Sequence, residues 1–285
     1  MDNPQNSPDP RSMPDLRSMY IDLLKKALSF QMWDEAMHSV DSVTSRKLSH
    51  RILKIVDALV RPLGGVVAID PKVTQAMRDE GSFWPGQAHT MIGQARLDNL
   101  RMAVETVISE GVPGDFIETG VWRGGACIFM RGLLEAHGDT ARKVFVADSF
   151  AGLPEPEPDR YPADKADKLY RFKELAIPKR VVEDNFRKYG LLDSRVQFVE
   201  GFFADTLHKL DNPSFAIIRL DGDMYSSTIQ ALDALYPKLS SGGFCIIDDY
   251  SLSNCRQAVT EYRAAHGITA EMIQIDWTGT YWRKP

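Results

Sequence analysis

Cys127, Cys245 and Cys255 are the only three cysteines in 285 residues, and no two of them form a C-x-x-C pair. A disulfide framework and a thiolate zinc site are therefore excluded, and the chain reads as one kept in a reducing, cytoplasmic compartment. Basic excess is lacking as well: 34 Lys and Arg against 39 Asp and Glu leave a formal net charge of −5. Nucleic-acid binders need a basic face for phosphates, so that partner class drops out. Long apolar runs are missing too. The longest uncharged stretch, Gly81 to Ala95, contains Gly, Pro, Gln and His, so no membrane span is expected. The six histidines form neither H-x-H nor H-E-x-x-H, and neither G-x-S-x-G nor G-x-x-x-x-G-K-S/T occurs. Histidine metal sites, nucleophile-elbow hydrolases and P-loop enzymes lose their main support. Residues 1–14 carry Pro4, Pro8, Pro10 and Pro14 and no apolar segment, which reads as a disordered tail rather than a signal peptide.

What is present is an apolar content of 44%, enough for a core without staples. Tyr20, Leu23, Leu24, Ala27 and Leu28 predict an amphipathic helix over Tyr20–Phe30, and Leu48, Ile52, Val56 and Leu59 another over Ser45–Val60, ended by Arg61-Pro62. The apolar piece Leu63–Ile69 is expected to pack on the main domain. A third helix, Gln94–Glu110, turns Leu97, Leu100, Val104, Val107 and Ile108 inward and stops at Gly111 and Pro113. Residues 15–92 thus read as a helical cap and 93–285 as the main domain.

From Asp115 the chain alternates. Short β-rich runs at 115–118, 143–147, 195–199, 214–220 and 243–247 are separated by helical stretches at 126–137, 179–189, 226–239 and 255–266. That pattern predicts an α/β fold with a doubly wound, mostly parallel, Rossmann-like sheet. Residues 269–276 and 280–283 around Trp277-Thr278-Gly279 add an antiparallel hairpin at its end. The stretch 155–178, rich in Pro and charge, is long for a connection and reads as a lid-like or solvated insertion.

The chemistry-bearing residues fall at predicted strand ends. Glu118 closes the first core strand and leads into Thr119-Gly120-Val121-Trp122-Arg123-Gly124-Gly125, a glycine turn without G-x-G-x-x-G spacing. An acid there repels a pyrophosphate but suits a cationic ligand such as S-adenosylmethionine; a surface Glu on a glycine turn is the plain alternative. Asp148 ends the second strand, where a carboxylate accepts from ribose hydroxyls, or else makes an Asx-turn. Ile217-Ile218-Arg219-Leu220 runs into Asp221-Gly222-Asp223, and Phe244-Cys245-Ile246-Ile247 into Asp248-Asp249, with one helix between. Neighbouring strands would bring these tips within about 4.8 Å. Carboxylates that close repel unless a cation joins them, and an all-oxygen set favours Mg²⁺. Asp221, Asp248 and Asp249 are the candidate ligands, with helix capping as the alternative. Asp223, free of that duty, is the candidate catalytic base. His89, ahead of a core helix, reads as structural.

These segments together with Thr90-Met91-Ile92-Gly93 and Asp148-Ser149-Phe150-Ala151-Gly152-Leu153-Pro154 resemble the macrocin O-methyltransferase family, across roughly Glu80–Lys284 and more weakly at Tyr20–Asp34. The resemblance implies a class I methyltransferase fold using S-adenosylmethionine and Mg²⁺, acting on a sugar hydroxyl of a glycoside or oligosaccharide, as a homodimer or larger assembly. It also implies cofactor contacts: Thr90 and Met91 flank the cofactor, and Glu118, Thr119, Gly120, Val121 and Trp122 line its methionine side. Asp148 and Ser149 hold the ribose, while Gly201 and Phe202 lie by the adenine. Residues 41–72 look inserted relative to the antibiotic enzymes, and 155–178 lacks the lid histidine of some members. A catechol-type methyltransferase is the nearest alternative; a nicotinamide-binding oxidoreductase or a non-catalytic cofactor binder is the alternative from another class.

Overall fold

In this computed structural model, residues 15–34, 37–40, 48–70, 72–212 and 214–285 are described. The expected tail, 1–14, and residues 45–47 of the second expected helix lie outside them. The Asp15 side chain accepts from the Arg17 N–H and starts α1 (Leu16–Leu28), as an N-cap acid should. The small ribbon β1 (His38–Ser39) and β2 (Ala68–Ile69) flanks α2 (Leu48–Val60). Next come α3 (Gln75–Glu80), α4 (Gln94–Ser109), β3 (Asp115–Thr119), α5 (Gly125–Ala136) and β4 (Val144–Asp148). After three short 3-10 turns follow α6 (Lys179–Lys188), β5 (Val196–Glu200), α7 (Phe203–Thr206) and β6 (Phe215–Leu220). The chain ends with α8 (Tyr225–Leu235), β7 (Leu239–Ile247), α9 (Ser253–Ala265), β8 (Ile273–Gln274) and β9 (Thr280–Arg283).

The main sheet has seven strands in the order β5-β4-β3-β6-β7-β9-β8. The first five are parallel, and β9 runs antiparallel to both β7 and β8. Strand order reverses between β3 and β6, the switch point beyond whose carboxyl ends such sheets bind ligands. Apolar side chains fill both faces: Phe116, Val144, Ile217 and Phe244 pack under α4 and α5, while Ile117, Ile218, Cys245 and Trp282 pack under α8 and α9. Both faces being covered explains why the strands read as nearly continuous apolar runs.

Several expectations need correction. In α1 the buried residues are Ile21, Leu24 and Leu28, while Tyr20 and Leu23 face outward. Leu24 packs on Gly132 of α5, where an added Cβ would overlap its side chain, and the Tyr20 hydroxyl reaches the same glycine from the rim. In α2 the apolar stripe Leu48, Ile52, Val56 and Leu59 is exposed and forms a surface, while His50 and Asp57 are buried. Asp57 accepts from the Val67 N–H at 2.8 Å and pairs with Arg61, so the inward side of α2 is a polar clasp on the ribbon. Leu63 and Val66 do not pack on the main domain; they are exposed, and the Val67 carbonyl instead accepts from the Val40 N–H. The helix expected over 226–239, α8, ends already at Leu235, and β7 begins at Leu239. The first arm of the terminal hairpin is only two residues long.

Candidate active site

The acids predicted at strand ends converge because the strand tips are laddered together. Asp221 N–H donates to the Thr119 carbonyl and Asp248 N–H to the Leu220 carbonyl, each at 2.9 Å, and Gly120 N–H donates to Ala147 at 2.9 Å. Gly120 has φ +80, and a Cβ there would overlap the Asp221 carbonyl oxygen; only glycine lets the two tips touch. Trp122, Phe150 and Asp223, in the loops after β3, β4 and β6, also have positive φ, at 48°, 54° and 59°. Non-glycine residues in that region carry backbone strain, which clusters at functional sites.

One carboxylate oxygen from each of Asp221, Asp248 and Asp249 lies within 4.8 Å of the other two. Asp221 accepts from Arg219 at 2.8 Å, and Asp249 accepts from the Asp223 N–H at 3.0 Å. Asp248 is gripped by Arg219 on one oxygen and by Arg96 on the other, the latter at 2.5 Å. Arg219 also pairs with Glu118, which stands opposite it in the β3–β6 register. Arg96 reaches on to Asp276 at 2.9 Å. With Asp223 and Asp249 beside them, the acids outnumber these two guanidiniums. Burial and then the Asp248 charge push the Asp221 carboxyl up to about 6. Burial, then Asp221 and Asp248, push Asp223 up to about 8, and burial, then Asp223, Asp221 and Asp248, hold Asp249 well above the usual range. Converging carboxylate oxygens, Asp248 buried and Asp221 and Asp249 half-buried, are a donor set that suits a hard divalent cation.

A cavity of about 460 Å³ opens at these tips. Of the predicted site residues, Met91, Gly120, Trp122, Asp148, Ser149, Phe202, Asp221 and Asp223 line it. The others stand behind the wall. Thr90 is buried and its hydroxyl accepts from the Ile92 N–H. Thr119 and Val121 are buried in the strand end, and the Gly201 N–H donates to the Asp148 carbonyl at 2.9 Å. Asp248 and Asp249 sit one strand further along. Glu118, 2% exposed, faces Arg219 and the Cys127 thiol rather than the cavity; burial raises it to about 7 against the pull of Arg219. The Asp148 carboxylate accepts from the Val121 and Phe150 N–H groups, each at 2.7 Å. It therefore makes the Asx-turn and lines the cavity at once. Ser149 is tied into its own loop through Gly152 and Ala151. The His89 ring meets the Tyr189 hydroxyl at 2.7 Å and its carbonyl accepts from Gly125 N–H, a structural role.

Sequence reasoning missed Arg219 and Arg96. The signal for the first was visible: an arginine within Phe215–Leu220, a strand buried at every position, must have an anion opposite it. Arg96 had no local signal, because its partners are 152 and 180 residues away. The insertion also contributes Glu155, Glu157, Arg160, Tyr161 and Leu175 to the cavity wall.

Fold, strand order and the ligand-side cavity define a class I methyltransferase. Residues 17–284 match the Macrocin-O-methyltransferase (TylF) family, and the chain belongs to it. It is 46% identical, over 94% of both chains, to the 8-demethyl-8-(2,3-dimethoxy-alpha-L-rhamnosyl)-tetracenomycin-C 4'-O-methyltransferase of Streptomyces olivaceus. It is 41% identical, over 93% of this chain and 96% of the other, to the mycinamicin III 3''-O-methyltransferase of Micromonospora griseorubida. Among solved structures, the O-methyltransferase NovP superposes with a TM-score of 0.81 at 42% identity, covering 94% of this chain and 99% of that one. Family membership makes the protein an O-methyltransferase and removes the oxidoreductase and non-catalytic alternatives. No described helix is long and apolar enough to cross a membrane.

Proposed function

We propose that this enzyme transfers the methyl group of S-adenosylmethionine to a sugar hydroxyl of a glycoside natural product, with Mg²⁺ held by Asp221, Asp248 and Asp249. The observation that carries the reading is one cavity lined both by Asp148 at the β4 tip and by Asp221 and Asp223 beyond the β6 tip. Relatives whose names specify a 4'-O and a 3''-O position on glycosides support the acceptor class. Residues 93–285 then carry the chemistry, and 15–92 shape the acceptor side.

Each residue has a task in this reading. Asp148 keeps lone pairs free for ribose hydroxyls while its turn bonds fix its direction. Phe202 offers an apolar face to the adenine, with Gly201 setting the loop behind it. Gly120, Trp122 and Met91 bound the methionine side, and Thr90, Glu118, Thr119 and Val121 hold that wall in place from behind. A divalent cation at the three aspartates would lower the pKa of an acceptor hydroxyl and fix its orientation. Asp223, on the cavity wall two residues past Asp221, would accept the hydroxyl proton. The exposed stripe Leu48, Ile52, Ile55, Val56 and Leu59 on α2 supports a homodimer or larger assembly, because apolar surface of that extent favours cover.

The test supplies methyl-labelled S-adenosylmethionine with an aryl rhamnoside and a catechol side by side. Label in the sugar is the expected result; label in the catechol alone would replace the glycoside reading by the catechol-type one.

A further inference from the structure

Asp164 is 0% exposed although it sits in the charged insertion at 155–178. Its two carboxylate oxygens accept from the first N–H groups of α8, Tyr225 at 2.7 Å and Ser226 at 2.9 Å. The Asn254 amide, in the first turn of α9, donates to Asp164 at 3.2 Å and to Asp167 at 3.4 Å. An acid buried this completely persists only where donors replace water, and all of these donors come from the two helices that follow the catalytic strand tips. Tyr225 lies two residues past Asp223, and Asn254 five past Asp249. One side chain therefore joins the insertion to both acid-bearing loops.

From this geometry we propose that Asp164 is a latch, a positioning residue that holds the insertion over the cavity and fixes the loop carrying Asp221 and Asp223. Four observations fit that role. Arg160 and Tyr161, just before Asp164, line the cavity. The Tyr161 ring lies 6.1 Å from that of Tyr225, and its hydroxyl accepts from Gln230 at 3.3 Å. At the far end of the insertion the Glu174 carbonyl accepts from the Trp122 indole at 2.9 Å. The loop so fixed includes Asp223 at φ +59, a strained conformation that needs anchoring on both sides. An insertion pinned at Asp164 and Glu174 cannot swing open without giving up the helix caps, so covering the cavity and setting the acids are one event.

The latch rests on the methyl-donor reading of the cavity only for its ligand readout. Two measurements test it: the rate of tryptic cleavage at Lys165, Lys168 and Arg171, and the Kd for S-adenosylhomocysteine by calorimetry. Asp164→Asn keeps the volume but turns an amide toward N–H donors. It should speed cleavage and weaken S-adenosylhomocysteine each by about five- to tenfold, the scale of one net hydrogen bond, and lower kcat more than it raises KM for the acceptor. A space-filling residue would tolerate the amide; cleavage and Kd within twofold of the parent overturn the latch. If Asp164→Asn does not fold, Asn254→Ala removes only the α9 arm and should move both readouts the same way by a smaller factor, and no movement again overturns it. Failure of the parent enzyme to bind S-adenosylhomocysteine would instead remove the proposed function, and the cleavage rates would still decide the latch.

Discussion

Arg96 and Asp248 meet at 2.5 Å although 152 residues separate them. Arg219 takes the other oxygen of Asp248 and also holds Glu118 and Asp221. The acid at the β7 tip is thus clamped between two guanidiniums that are 7% and 2% exposed. Such an arrangement is rigid because every member is needed to neutralise another. It holds Asp248 beside Asp221 and Asp249.

Breaking the clamp should be costly. Arg219→Met leaves Glu118 and Asp248 buried without their shared cation, and loss of one partner in a buried pair costs about 3–5 kcal/mol. Urea unfolding should show that loss as a lower midpoint with an unchanged slope. Arg219→Met combined with Glu118→Gln should recover part of it, since one stranded charge is then removed.

Asp221 and Asp148 line the cavity from the tips of β6 and β4, with β3 between them, so the two functions should separate. Asp221→Asn should lower kcat by at least about a hundredfold, the scale on which metal or oxyanion stabilisers act. Its affinity for S-adenosylhomocysteine, measured by calorimetry, should stay within a few-fold of the parent. EDTA should stop turnover and Mg²⁺ restore it; full activity in chelator would refute the cation at Asp221, Asp248 and Asp249.

Much of this site was legible in the sequence because parallel strands carry their message in short runs. Apolar residues that end on an acid announce both a buried strand and its ligand-side tip, and β3, β4, β6 and β7 all read that way. Pairing of β6 with β7, register Leu220 to Ile247, followed from the single helix between them. What could not be read depends on distant partners. The direction of Glu118 is set by Arg219 across the strand, and the inward side of α2 by Val67 and Arg61 meeting Asp57. Periodicity describes a helix's apolar stripe but not whether the rest of the chain covers it, so the exposure of the α2 stripe had to come from the structure.

The close approach of the β3 and β6 tips gives a sharp stability contrast. Gly111, with φ +67, has nothing within 4 Å of an added Cβ, whereas Gly120, with φ +80, has the Asp221 carbonyl in the way. Gly111→Ala should cost only the left-handed penalty, about 1–2 kcal/mol. Gly120→Ala adds a backbone clash at the site itself. It should unfold at a markedly lower temperature and lose S-adenosylhomocysteine binding, both read in one thermal-shift series. Equal melting temperatures for the two variants would contradict the tip-to-tip contact.

His89 supplies a pH signature. Burial, then the charges of Lys188 and Arg123, lower its pKa from 6.5 to about 4, so the folded protein resists protonating a ring that the unfolded chain protonates readily. The stabilisation from the neutral ring is complete above pH 6.5 and is lost as pH falls from 6.5 toward 4, by up to about 3 kcal/mol at 1.36 kcal/mol per unit. Carboxylates, Asp221 at about 6 among them, titrate across the same window, so the isolating quantity is the difference between the parent and His89→Phe. That variant keeps the edge-to-face contact with Tyr189 but cannot take up the proton. Its stability relative to the parent should be lowest near neutral pH, where the Tyr189 hydroxyl has lost its partner, and should climb as the pH drops from 6.5 to 4. A difference that stays flat across that interval would mean that His89 is protonated as freely in the folded chain as in the unfolded one, and would remove the buried His89–Tyr189 contact from the account of this loop.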